Sequence, residues 1–320
     1  MDAAEAASDA DALPAVQVCV RVRPLLAWER AAGHEASLLD LTNASSLGQV
    51  TLQPPEPGEG TSSASSLPGR AKSFRYDRVF GPESTQQDVW DGAGLDALLG
   101  KVVQGYNATI FSYGQTGSGK THTLEGSALA RAEPQSDVAP SADMRCPRVL
   151  AQGLEPSQLG VAPRAIQELF ARLAGEAAWP ANDGCDHSRV LGEHLSVRVS
   201  FMQIYKERIY DLLNANFTGQ GLRLRRDVAR GQFFAENLFE YECDTPEEVL
   251  AHYRAGLQNR KTAATAMNFV SSRSHALLTI SVHRRTRIES DSATAPAAFS
   301  EVVSRLTLVD LAGSERAGAG

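Results

Sequence analysis

Residues 105–123 read G-Y-N-A-T-I-F-S-Y-G-Q-T-G-S-G-K-T-H-T. Within them, residues 114–121 fit G-x-x-x-x-G-K-[ST], the pattern of a phosphate-binding loop. The residue types suit the chemistry. Gly114, Gly117 and Gly119 let the backbone turn in ways that side chains forbid, so that successive N–H groups face an anion. Lys120 brings a positive charge to the β/γ-phosphates, and Thr121 brings a hydroxyl to Mg²⁺, an ion that takes oxygen ligands and keeps waters. The helix expected after the loop adds the positive end of its dipole. The context is also right, because Ala108 to Tyr113 is a short apolar strand running straight into the loop. A glycine-rich surface turn is the alternative reading of the same letters.

Outward from the loop, strands and helices alternate. Val16, Val18, Val20 and Val22 alternate with polar residues and predict a strand ending at Pro24. Ser73 to Phe80 reads as a second strand. A helix is expected from about Thr85, with Val89, Leu95, Leu98, Leu99, Val102 and Val103 inward. Pro163 is expected to start another, where Ile166, Leu169, Phe170 and Leu173 share one face. Leu195 to Tyr205, Leu277 to His283 and Arg305 to Val309 read as strands. Thr245-Pro246-Glu247-Glu248 is a helix start with a capping pattern. Interleaving of this kind argues for an α/β fold with a mainly parallel central sheet and helices on both faces. Segments 53–72, 126–160 and 175–194 are rich in Gly, Pro, Ser and Asp and read as loop insertions. Residues 1–15 form an acidic, Ala-rich arm that is expected to be disordered, and 16–320 a single large domain.

Composition narrows the functional classes. The chain has 320 residues, 42% of them hydrophobic, enough for a large core. Its formal net charge of −7 gives no overall basic field for nucleic acid. Cys19, Cys146, Cys185 and Cys243 share no disulfide or metal spacing, so reduced thiols in an intracellular protein are expected. Cys185, His187 and His194 lack a nearby fourth zinc ligand. No apolar run approaches a membrane span, and the N-terminus carries neither a secretory nor a transit signal.

Two further segments complete the chemical reading. Residues 268–275 are N-F-V-S-S-R-S-H, and residues 310–315 are D-L-A-G-S-E after the apolar strand Leu306 to Val309. An acid at the end of a buried strand, downstream of a phosphate loop, is where a carboxylate supports Mg²⁺ from behind. Gly313 can bring a backbone N–H close to a γ-phosphate. Taken alone, either segment is also compatible with a polar turn.

Taken in order, R-V-R-P at 21–24, the stretch at 105–123, N-x-x-S-S-R-S-H at 268–275 and D-L-A-G-S-E-R at 310–316 resemble the kinesin motor domain family. F-x-Q-I-Y-K-E-R-I-Y-D-L-L at 201–213 and G-L-Q-N-R-K-T at 256–262 support the likeness. An N-K-x-D guanine motif is not found. The resemblance implies a P-loop NTPase three-layer fold, ATP and Mg²⁺ as ligands, microtubules as partner, and a cytoplasmic, cytoskeletal location. It implies that Arg21, Pro24 and His122 flank adenine and that Gln115, Thr116, Gly117, Ser118, Gly119, Lys120 and Thr121 wrap the phosphates. Thr121 and Ser272 would ligate Mg²⁺, with Asp310 behind through water. Asn268 and Ser271 would help close the first sensor, and Arg273 and Glu315 would pair across the two sensors. Arg223, Arg225, Arg226 and Arg230 lie where the family makes an additional tubulin contact, although an ordinary solvated hairpin fits them as well. Family members continue past the point matching Gly320 into a relay helix, further switch helices, a core strand and a neck linker. A chain ending there is expected to be marginally stable and weakly stimulated by microtubules. A nucleotide-binding scaffold or regulator without motor output is the alternative, and a P-loop enzyme with a small acceptor a third.

Overall fold

The computed structural model describes residues 15–33, 39–53, 70–127, 156–175, 193–214, 221–228, 231–266, 271–288 and 298–315. The expected N-terminal arm and most of the three expected insertions lie outside these residues. The chain divides into two compact units between Leu95 and Asp96.

In the first unit, β1 (Cys19–Arg21), α1 (Ala27–Ala31), β2 (Leu39–Asp40), α2 (Ala44–Leu47), β3 (Gln49–Leu52), β4 (Lys72–Arg75), β5 (Arg78–Phe80) and α3 (Gln86–Gly92) follow in order. The alternating valines give a strand shorter than expected, paired in parallel with β5. The single strand expected over 73–80 is two. Tyr76 N–H donates to the Gly48 carbonyl and Asp77 N–H to that of Val18, so the chain changes partner at this point. Thr85 caps α3 as its sequence indicates: its Oγ1 accepts from Asp88 N–H at 3.1 Å and Asp88 accepts from Thr85 N–H at 2.7 Å. The helix then breaks at Ala93–Gly94, which divides the one long helix expected here.

The second unit begins within α4 (Leu95–Val103) and runs on through β6 (Ala108–Ser112), α5 (Lys120–Leu124), α6 (Val161–Ala174), β7 (Glu193–Tyr205), β8 (Arg208–Asp211), β9 (Leu224–Asp227), β10 (Gln232–Ala235), β11 (Tyr241–Cys243), α7 (Pro246–Ala266), β12 (His275–Ile288) and β13 (Ala298–Asp310). Its six-stranded sheet has the order β11-β7-β12-β13-β6, with β8 on β7. This corrects the mainly parallel sheet expected from sequence. Within that sheet, among the described residues, only β13 and β6 pair in parallel; the β7–β12, β12–β13, β7–β11 and β7–β8 pairings are antiparallel. For β7 and β8 the reason is local. β7 turns into β8 through Lys206 and Glu207, both left-handed at φ 47° and 62°. That is a two-residue hairpin, which returns the chain antiparallel without a crossover helix.

The core lies on one face of this sheet. Leu195, Val197, Val199 and Phe201 of β7, Leu278, Ile280 and Val282 of β12, and Leu306 and Leu308 of β13 are all buried. Ile166, Leu169, Phe170 and Leu173 of α6 are buried as their spacing predicts. α7 packs onto β7 so tightly that a Cβ on Gly256 would run into the Phe201 ring. The Tyr253 ring, one turn earlier, packs against the same ring at a 52° tilt, with centroids 5.4 Å apart. No helix among the described residues is long and apolar enough to cross a membrane.

Candidate functional site

The phosphate-type loop joins β6 to α5. Gly117 and Gly119 sit at φ +80° and +98°, conformations that L side chains resist. Gly114 is needed for proximity as well, since a Cβ there would come within 2.5 Å of Ser118 Oγ. The Lys120 ammonium turns back on the loop and donates to the carbonyls of Gly114 and Gln115 at 2.8 and 2.9 Å. Thr121 and His122 are exposed on the first turn of α5.

β13 runs beside β6, so Asp310 lies directly across from Ser112 at the foot of the loop. Asp310 is 6% exposed. Its carboxylate accepts from Ser112 Oγ at 3.4 Å and Thr121 Oγ1 at 3.5 Å. Its strongest partner is Arg260 on α7, whose Nη1 donates at 2.8 Å while Nη2 donates to the Ser274 carbonyl at 3.0 Å. Glu125, at the end of α5, is buried in the same neighbourhood, and burial together with the Asp310 charge pushes its carboxyl up to about 7. Sequence reasoning assigned neither Arg260 nor Glu125. Arg260 could have been found as the charge one turn beyond Gly256 on the buried face of α7, and Glu125 as the residue one turn beyond Thr121.

The sensor segments run along the loop. Leu311 N–H donates to the Ser112 carbonyl at 3.4 Å and Ser314 N–H to that of Gly114 at 3.1 Å. Gly313 N–H donates to the Ser272 carbonyl at 2.6 Å, and Ala312 N–H to His275 Nδ1 at 3.0 Å, so the two sensors are tied to each other. Ser271 opens the short 3-10 helix Ser271–Arg273, in which Ser272 is half-buried and Arg273 exposed. Asn268 lies outside the described residues. The Arg273–Glu315 pair expected from sequence is not among the ion pairs of the described residues. Glu315 instead accepts from Thr116 N–H at 2.8 Å and from the Thr116 hydroxyl. These bonds hold its carboxyl below the usual range. A side chain on Gly313 would collide with the Glu315 carboxylate in this position.

The remaining expected residues fall in the first unit. Arg21 donates to Gln86 Oε1 at 2.9 Å and to the Ser84 carbonyl at 3.0 Å, and the Pro24 carbonyl accepts from Arg23 at 3.1 Å.

Comparison with known proteins decides the family. The kinesin motor domain pattern matches residues 21–319. The chain belongs to the kinesin motor domain family. The mouse kinesin-like protein KIF27 is 32% identical over 305 residues, covering 94% of the chain but 18% of that protein. The bovine kinesin-like protein KIF3C is 34% identical over 310 residues, covering 97% of the chain and 32% of KIF3C. The chain thus spans between about a fifth and a third of the length of these relatives. A solved structure of a fast kinesin superposes with a TM-score of 0.68 at 28% identity, covering 95% of this chain and 68% of that one. The fold is the kinesin P-loop NTPase fold, with its mixed sheet and helices.

Proposed function

We propose that this chain binds Mg-ATP in the 114–121 loop, hydrolyses it, and in its full-length context couples the cycle to microtubules. The observation that carries the reading is the position of Asp310, a buried carboxylate at the strand end beside β6, within reach of the Thr121 hydroxyl. Among the described residues no cluster of three or more His, Cys, Asp or Glu side chains is placed to bind a metal. Mg²⁺ takes few protein oxygens and fills its shell with phosphate and water. Thr121 and Ser272 would supply hydroxyl ligands and Asp310 would act behind them through water. When bound, Mg²⁺ neutralises phosphate charge. Lys120 and the loop N–H groups of Gln115 to Thr121 bind and orient the phosphates, with His122 beside the adenine.

Asn268, Ser271 and Gly313 would close the sensors at the γ-phosphate. Arg273 and Glu315 would orient the attacking water and take its proton. For that, Glu315 must leave Thr116 for Arg273, and such an exchange gives the sensors two states for a ligand to choose between. The β9–β10 hairpin offers exposed Arg223, Arg225 and Arg226, with Phe233 and Phe234 exposed on the opposing strand, to an acidic partner such as tubulin. Arg225 also pairs with Glu236 at 3.1 Å. Arg230 lies outside the described residues.

The sensor pair gives the test. Arg273→Ala and Glu315→Ala are each expected to reduce single-turnover ATP hydrolysis by about 100-fold or more while ATP still binds. Because the two act as one unit, the double variant should lose little beyond either single one. Losses that multiply would show that they do not work together.

A further inference from the structure

The buried face of the sheet carries a polar row of which the nucleotide chemistry accounts for Asp310 but not for Gln203. Gln203 of β7 stands opposite Ala276 of β12, Ala276 opposite Asp310 of β13, and Asp310 opposite Ser112 of β6. Directly opposed residues share a face, so these four side chains form one line across four strands. Gln203 is 1% exposed, and neither atom of its amide has a hydrogen-bond partner among the described residues. Burying an amide unpaired is costly and uncommon in folded proteins.

What lies over this row is Arg260. Gly256 sits against Phe201, two residues before Gln203 on the same face of β7. Arg260 is one turn further along α7, and its guanidinium reaches Asp310 and the Ser274 carbonyl. Ser274 precedes His275, which is opposite Ile204. The arginine thus lies over the row between Asp310 and Ala276, whose other neighbour across the sheet is Gln203, and it shares this buried space with the Glu125 carboxyl and the Tyr253 hydroxyl.

We propose that the neutrality of position 203, rather than any bond made by the Gln203 amide, leaves the Arg260 guanidinium on Asp310 and so limits how strongly the site holds Mg²⁺. A carboxylate at 203 would compete for Arg260. It would draw the positive charge off Asp310 and leave that acid free to strengthen the water-mediated hold on the metal. The inference rests on the Mg-nucleotide reading of the loop.

The test is the Mg²⁺ dependence of fluorescent ADP release from the full chain, for wild type, Gln203→Glu and the isosteric Gln203→Met. Gln203→Glu is expected to lower the half-saturating Mg²⁺ concentration roughly fivefold, and crystals of that variant should show Arg260 turned from Asp310 to the new carboxylate. Gln203→Met should leave the curve within about twofold and the melting point unchanged or raised, since the amide it removes is buried without a bond. An unmoved curve for Gln203→Glu, an Arg260 still on Asp310, or an equal shift for Gln203→Met overturns the proposal. If Gln203→Glu does not fold, the shorter Gln203→Asp takes its place: a lowered half-saturating Mg²⁺ concentration supports the proposal, and an unmoved curve overturns it. A wild-type chain with no Mg²⁺-dependent ADP binding refutes the nucleotide reading itself, before any variant is compared.

Discussion

Lys120→Ala is expected to abolish Mg-ATP binding, weakening it by at least about a hundredfold. In the proposed function the ammonium is the charge that the 114–121 loop brings to phosphate, and charge-assisted bonds of this kind contribute about 1.5–3 kcal/mol each. Two of them amount to a hundredfold or more in affinity, at about 1.4 kcal/mol for each factor of ten. The structure adds a second cause. Lys120 donates to the carbonyls of Gly114 and Gln115, so alanine also removes a brace from the loop that shapes the cradle. Equilibrium titration with a fluorescent ATP analogue measures the loss. An affinity equal to wild type would show that the loop does not bind phosphate.

Arg260→Ala is expected to damage folding more than chemistry. Arg260 and Asp310 form an ion pair at 2.8 Å whose side chains are 7% and 9% exposed. Removing one member of a buried pair leaves the other charge uncompensated in a poor dielectric, which costs about 3–5 kcal/mol. The same change releases the Ser274 carbonyl, which lies between the first sensor and β12. Replacing Arg260 and Asp310 together by apolar residues of similar volume should restore much of the stability while leaving the site without its acid. Urea unfolding of the two variants measures both effects. A loss below about 1 kcal/mol for Arg260→Ala would mean that water reaches the pair and that α7 does not depend on it.

The loop was legible because it is local. Its glycines, lysine and threonine sit within eight residues, and the apolar strand before it is continuous, so one window of sequence carries the geometry. Most helices were legible for the same reason: the Thr85 and Thr245 caps and the 166–173 stripe are written in neighbouring residues. Sheet polarity was not. Alternation reveals that 195–205, 277–283 and 305–309 are strands, but it is blind to direction. The left-handed pair Lys206–Glu207 that turns β7 back is unusual for non-glycine residues and gave no warning. The polar cluster under the loop was hidden too. Glu125, Arg260 and Asp310 are separated by 135 and 50 residues, and only the register of β13 on β6 and the packing of α7 on β7 bring them together. The Glu315–Thr116 contact in place of Glu315–Arg273 belongs to the same class, because it depends on how the second sensor folds back along the loop.

Mg²⁺-dependent phosphate release by the purified chain supplied with ATP tests the central claim most directly. The account predicts hydrolysis that requires Mg²⁺, that disappears in Lys120→Ala, and that falls by about 100-fold in Arg273→Ala while that variant still binds ATP. A chain that is folded by its melting curve, yet releases no more phosphate with Mg²⁺ than the Lys120→Ala variant, would contradict it.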